Sequence, residues 1–266
     1  MKKFDPNDVG VANGNIFGFP VTEQDADLVI IPVPWDITAS YRKGTARGPY
    51  RVLEASTQLD FYHPNFEEAA STRVYMTPIS QDMLSVNHDL TQGALDYLSY
   101  LEQGNTVKEN TKESLFLEAA NEAHENIRKA VYDRAVSFQE AGKIVGVIGG
   151  EQTAVLGLIQ ALATKHSSFG ILQIDAHADL RESYEGFEQS HASIMHNVLD
   201  QVPQVKKLIQ VGVRDLSGQE VNRIKQSDRI VTFYDWHLKD QQFGGRTWQK
   251  QVEEIVSELP DAVYIS

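Results

Sequence analysis

The stretch Phe169-Gly170-Ile171-Leu172-Gln173-Ile174-Asp175-Ala176-His177-Ala178-Asp179 decides how this chain is read. A largely apolar run passes directly into two carboxylates and an imidazole at alternate positions. Residues two apart in an extended segment face the same side, so Asp175, His177 and Asp179 are expected to converge. Oxygen and imidazole donors together suit a hard-to-borderline divalent ion such as Mn, Fe, Ni or Zn. The spacing leaves open whether one ion or two are held. The plain alternative is a loop whose polar residues cap the next helix.

Working outward, the same alternation recurs. Short apolar runs at 28–34, 144–148, 207–213, 230–233 and 262–265 join 169–174 as strand candidates. They are apolar throughout rather than alternating, the pattern of parallel strands covered on both faces. Helical segments are expected at 113–139, 153–163, 190–199, 217–225 and 247–259, with Gly142 as a stop after the first. Strand–helix alternation implies a parallel sheet with helices on both faces, whose ligands bind at the carboxyl ends of the strands.

Three more motifs sit at such ends. Gly149-Gly150-Glu151-Gln152-Thr153 follows a strand; the glycines permit a sharp turn, and Glu151 or Gln152 is expected to project over the sheet edge. Ser190-His191-Ala192-Ser193 opens a helix, where the positive helix end disfavours an imidazolium; His191 reads as a proton shuttle or as a merely exposed first-turn histidine. Val33-Pro34-Trp35-Asp36 and the stretch from Ser40 to Pro49 read as a substrate rim or as an ordinary connection. His63, His88, His124, His166, His196 and His237 lack partners at ligand spacing and are read as structural or surface residues.

Composition narrows the classes. The 266 residues include 37 acidic and 24 basic side chains, a formal charge of -13, and no cysteine. Disulfides, thiolate metal sites and a cysteine nucleophile are excluded. No run approaches the roughly 20 apolar residues of a membrane helix, and Met1-Lys2-Lys3 is not followed by a secretory apolar segment. A pI near 5.0 argues against nucleic-acid binding. The expectation is a cytoplasmic protein with neither a nucleic-acid nor a membrane partner. Residues 61–110 carry seven acidic against two basic residues. They are expected to form an insertion: a solvated face, a surface subdomain or an oligomer contact.

In order and spacing, the four motifs resemble the ureohydrolase family of arginases and agmatinases. The Ser40–Pro49 stretch, Ser-Tyr-Arg-Lys-Gly-Thr-Ala-Arg-Gly-Pro, looks more like the agmatinase branch, and Val211-Gly212-Val213-Arg214-Asp215 also resembles a family strand and loop. The resemblance implies a three-layer α/β/α fold with a central, mainly parallel sheet. It implies a two-manganese site (nickel or another divalent metal being the variants) and hydrolysis of a small cationic guanidino substrate to urea and an amine. It makes Asp175 a bridging ligand and catalytic residue, His177 and Asp179 ligands of one ion each, and His191 the catalytic proton shuttle. It also suggests a homo-oligomer, a trimer or a hexamer.

Two departures stand out. Family members place Asp-His-Ser after the Gly-Gly turn, with the histidine a metal ligand; here Gln152 holds that position, a neutral and poorer donor. The family's last motif, a strand ending in Ser-x-Asp-x-Asp, meets a chain that reads Val263-Tyr264-Ile265-Ser266 and stops. The expectation is therefore a single ureohydrolase-like domain, 1–266, lacking its C-terminal part, with one metal site weakened. The competing readings are a catalytically impaired relative and a deacetylase-type metallohydrolase with one zinc. A metallophosphatase would need further His and Asn motifs that are not found.

Overall fold

The computed structural model describes residues 4, 5, 7–66 and 69–266. Met1-Lys2-Lys3, read above for a leader, and Glu67 and Glu68 of the acidic stretch lie outside the described residues. The chain forms two compact units, residues 1–158 and 159–266. Its strands hydrogen-bond as two separate sheets, each wholly parallel.

In the first unit β1 (Leu28–Val33) lies between β2 (Val74–Met76) and β3 (Ile144–Gly149). Leu28 pairs with both Val74 and Ile144, so the three strands start level and point the same way. Val29, Ile31 and Val33 are fully buried, as the continuous apolar run demands of a central strand. The helices are α1 (Gly48–Ser56), α2 (Gln81–Glu102) and α3 (Lys112–Glu140). Ser80 caps α2 by accepting from the Met83 amide, and Thr111 and Ser114 form a reciprocal cap on α3.

The acidic 61–110 stretch, expected as an insertion, carries regular elements of the first unit. It contributes the edge strand β2 and the whole of α2. Three residues are too few to show a strand period, which is why β2 escapes sequence reading.

The second unit orders its strands β6 (Ile230–Tyr234), β5 (Val205–Val213), β4 (Phe169–Ile174), β7 (Val263–Ile265). Around them run α5 (Ile194–Gln201), α6 (Gly218–Gln226), α7 (Asp235–Phe243) and α8 (Trp248–Ser257), while α4 (Leu156–Lys165) spans the point where the two units join. No helix among the described residues is long and apolar enough to cross a membrane.

Ile31 on the central strand and Ile265 on an edge, 66% exposed, give a contrast. Ile31→Ala is expected to cost about 2–5 kcal/mol, and Ile265→Ala no more than about 1 kcal/mol. Urea denaturation monitored by circular dichroism measures both; equal losses would contradict this assignment of the core.

Candidate metal-binding loop and proton-transfer site

The loop after β4 is built on the neighbouring strand. Asp175 N–H donates to the Val211 carbonyl at 3.1 Å, and the Arg214 and Asp215 amides donate back to Ala176 at 2.8 and 3.1 Å. His177 and Asp215 pair as an isolated parallel bridge. Pairing of β5 with β6 shifts register between Val211 and Val213, and Gly212 sits in that bulge at φ +93°. A Cβ at Gly212 would lie 3.3 Å from the Asp175 carbonyl oxygen, so glycine suits both the dihedral and the close approach.

Asp175 and His177 come together as their spacing predicts. Asp175 Oδ1 accepts the His177 amide at 2.8 Å and stands 3.4 Å from His177 Nδ1. His177 Nε2 is 3.8 Å from Asp215 Oδ2, and its side chain is 59% exposed. Asp215 is a member of this cluster that the sequence reading passed over; its placement after β5, beside a family-like strand, was the available signal.

Asp179 behaves differently. It takes a left-handed backbone conformation, φ +54°, and is buried at 3% exposure. Its Oδ2 accepts from Gln173 Nε2 at 3.0 Å. Burial, then the nearby carboxylates of Asp175 and Glu220, push its pKa up to about 8 against the pull of the Gln173 amide. Glu220 is itself buried, holding Ser217 N and Oγ at 2.7 and 2.9 Å and Leu180 N at 3.1 Å.

His191 is tied to the same loop through the backbone. The Asp179 carbonyl accepts from Met195 and His196 N–H at 3.0 and 3.2 Å, and Arg181 N–H donates to the Ala192 carbonyl at 3.1 Å. Ser190 and Ser193 close a reciprocal cap, and His191 opens the 3-10 turn His191–Ser193 ahead of α5. The expected helix start at 190 is thus a 3-10 turn, with the α-helix proper beginning at Ile194. The His191 ring stands edge-on to Tyr184 at 5.9 Å, and the Arg181 guanidinium lies over that same tyrosine at 4.8 Å.

The Gly-Gly turn lies in the first unit. Gly150 N–H donates to the Val33 carbonyl at 3.1 Å, and a Cβ there would lie 2.4 Å from the Trp35 carbonyl, so only glycine allows this approach. Glu151 does not project over the sheet edge as expected. Its side chain is 4% exposed. One oxygen accepts Thr38 N and Oγ1 at 3.0 and 2.8 Å, and the other accepts Thr153 Oγ1 at 2.8 Å. His124 Nε2 lies 3.5 Å from that second oxygen, while His124 Nδ1–H donates to the Ala120 carbonyl at 2.8 Å. A buried carboxylate must be satisfied internally, and these donors do it. Gln152, beside it, is half-buried and opens the 3-10 turn Gln152–Val155.

Asp36, in the expected rim, is likewise internal. Its Oδ2 accepts Gly44 and Ala46 N–H at 2.6 and 3.1 Å, and Asn87 on α2 pairs with it reciprocally at 2.9 and 3.1 Å. Asn87, from the acidic stretch, thus helps to anchor the connection after β1.

Among the described residues, no three His, Asp or Glu side chains stand grouped to hold a metal ion. The donor set at the β4 loop nevertheless fits a divalent cation in kind, Asp175 and Asp179 offering oxygen and His177 imidazole.

The scaffold is wholly parallel within each sheet, with a carboxylate–imidazole loop at the carboxyl end of β4. The arginase family model matches residues 26–266, and the chain belongs to that family. It is 31% identical over 218 residues to an N(1)-aminopropylagmatine ureohydrolase of Synechocystis sp., covering 81% of this chain and 60% of the relative's length. The agmatine ureohydrolase of Thermoplasma volcanium superposes with a TM-score of 0.62 at 20% identity, covering 92% of this chain and 68% of that one. The formiminoglutamase of Trypanosoma cruzi, crystallised with Mn2+, gives 0.59 at 16% identity, covering 85% and 65%. The fold is accordingly the three-layer α/β/α arginase fold.

The raised pKa of Asp179 has a consequence for stability without metal. Because its folded value lies near 8 and its ordinary value is 3.8, its contribution is fully present below the ordinary carboxylate range and is lost as pH rises through about 8. In EDTA, thermal melts should fall with rising pH for the wild type, and Asp179→Asn should melt higher than wild type near pH 9 and level with it near pH 4. A variant less stable at every pH would refute this.

Proposed function

We propose that this chain is the metal-binding body of a ureohydrolase that cleaves a guanidino C–N bond, releasing urea and an amine. The observation that carries the reading is the Asp175–His177–Asp179 loop at the carboxyl end of β4, with the His191 turn fastened to it by Asp179 and Arg181. Membership of the arginase family supports it. The chain spans 60% of the length of the Synechocystis relative, so activity is assigned here as a proposal for the whole protein.

Asp175, His177 and Asp179 would hold a divalent metal, with Mn2+ favoured by the donor set and by the Mn2+ in the formiminoglutamase structure. When bound, such an ion supplies Lewis acidity that makes a water acidic enough to react at neutral pH. The carboxylates of Asp175 and Asp215 give the loop negative charge that suits a guanidinium cation. His191 moves a proton to the departing amine. Agmatine carries no α-carboxylate, so no cation is required to receive one, and agmatine and its aminopropyl derivative are the substrates of choice. By resemblance to the family the protein assembles as a trimer or hexamer, and its composition suits a cytoplasmic protein.

A second reading rests on Gln152, which stands where the family places an imidazole ligand. On that reading the fold is retained while one metal position is impaired.

Urea release from agmatine and from N1-aminopropylagmatine, with Mn2+ and with Ni2+, tests the first reading. Metal-dependent urea formation is expected, reduced to background by Asp175→Asn. His191→Asn should lower kcat about 100-fold or more with metal content unchanged. No urea from any guanidine would end the proposal. Gln152→His should raise the Mn2+ content per chain; an unchanged content would show that Gln152 does not occupy a ligand position.

A further inference from the structure

Gln173, Gln210 and Thr232 occupy adjacent, in-register positions on β4, β5 and β6. Gln173 and Gln210 are fully buried, flanked along their strands by Leu172 and Ile174 and by Ile209 and Val211. Burying an amide is costly unless its donors and acceptor are met, and here they are met in one direction. Thr232 Oγ1–H donates to Gln210 Oε1 at 2.9 Å. Gln210 Nε2 donates to Gln173 Oε1 and to the Ala178 carbonyl, both at 2.7 Å. Gln173 Nε2 donates to Asp179 Oδ2 at 3.0 Å.

The direction is forced. Gln210 gives both N–H groups to acceptors, so its oxygen must face Thr232, which can donate. Gln173 accepts with its oxygen, so its N–H₂ must face Asp179. A donor therefore always arrives at the carboxylate. The row thus holds Ala178 through its carbonyl and, next to it, the left-handed Asp179 through Oδ2.

We infer that this row of side chains is a positioning device: by holding Oδ2 it fixes the orientation of the Asp179 carboxylate, the ligand this residue would offer a divalent cation. The inference rests on the metal-binding reading above and names three residues that act through Asp179 without touching the cation. Three strands of a rigid sheet thereby set the angle of one ligand. An apolar trio would pack the same sheet and leave the carboxylate free to rotate. Cooperative polarisation along the row strengthens the last bond, the one made to the ligand itself.

The test is Mn2+ titration by isothermal calorimetry on this chain, with folding followed by circular dichroism. Gln173→Met and Gln210→Met keep volume and remove the donors. Each is expected to weaken Mn2+ binding about 10–100-fold, the range for residues that orient a ligand. Thr232→Val should weaken it in the same direction, and Thr232→Ser should restore wild-type affinity. In an Asp179→Asn background the effect of Gln173→Met should vanish, because the row then has no carboxylate to orient. Folded Met variants that bind Mn2+ like wild type overturn the inference alone. If either Met variant fails to fold, the Thr232 pair decides: Thr232→Val binding like wild type overturns it. A wild-type chain that binds no Mn2+ under any condition overturns the metal-binding reading and this inference with it.

Discussion

A carboxylate buried at the end of an apolar parallel strand constrains this molecule more than any other single feature. Asp179 is 3% exposed and lies near two further acids, Asp175 and Glu220. Water is not there to solvate it, so the protein must supply donors or the group must stay neutral. Both responses are present. Gln173 supplies one N–H, and the pKa rises to about 8. Glu220 is satisfied separately by Ser217 and Leu180, which keeps it from drawing on the same donors.

The same chemistry serves architecture in the first unit. Asp36 and Glu151 lie after β1 and β3, at the ends where ligands gather in parallel sheets. Each is consumed by local donors: Asp36 by Gly44, Ala46 and Asn87, Glu151 by Thr38 and Thr153. Glu151 ties the loop after β1 to the loop after β3, and Asn87 brings α2 onto the same anchor. Position on a sheet edge nominates a carboxylate for chemistry; its hydrogen-bond partners decide whether it is available.

Much of the scaffold was legible in sequence because continuous apolar runs and capped helices are local signals. Strands β1, β3, β4, β5, β6 and β7 were foreseen to within a residue or two, as was α3. β2 was missed because three residues carry no period, and α2 because its acidic residues drew attention to solvent rather than to Ala94, Tyr97 and Leu98, which are buried. At the site, Asp175 and His177 followed from alternation along extended chain. The inward turn of Asp179 did not, because a left-handed residue breaks that alternation at the point where it matters.

By itself the sequence determined the residue types of the site and their attachment to the end of an apolar strand, since both depend on neighbours along the chain. Only the tertiary structure decided which carboxylates are spent on local donors and which are not. That choice depends on partners far away in sequence: Thr38 with Glu151, Asn87 with Asp36, and Gln210 with Gln173. A glutamine in a hydrophobic run reads as a lapse in the pattern. Once β4, β5 and β6 lie in register, it becomes a link in a row of donors, because hydrogen bonding between side chains is decided by distance in space and not by order along the chain.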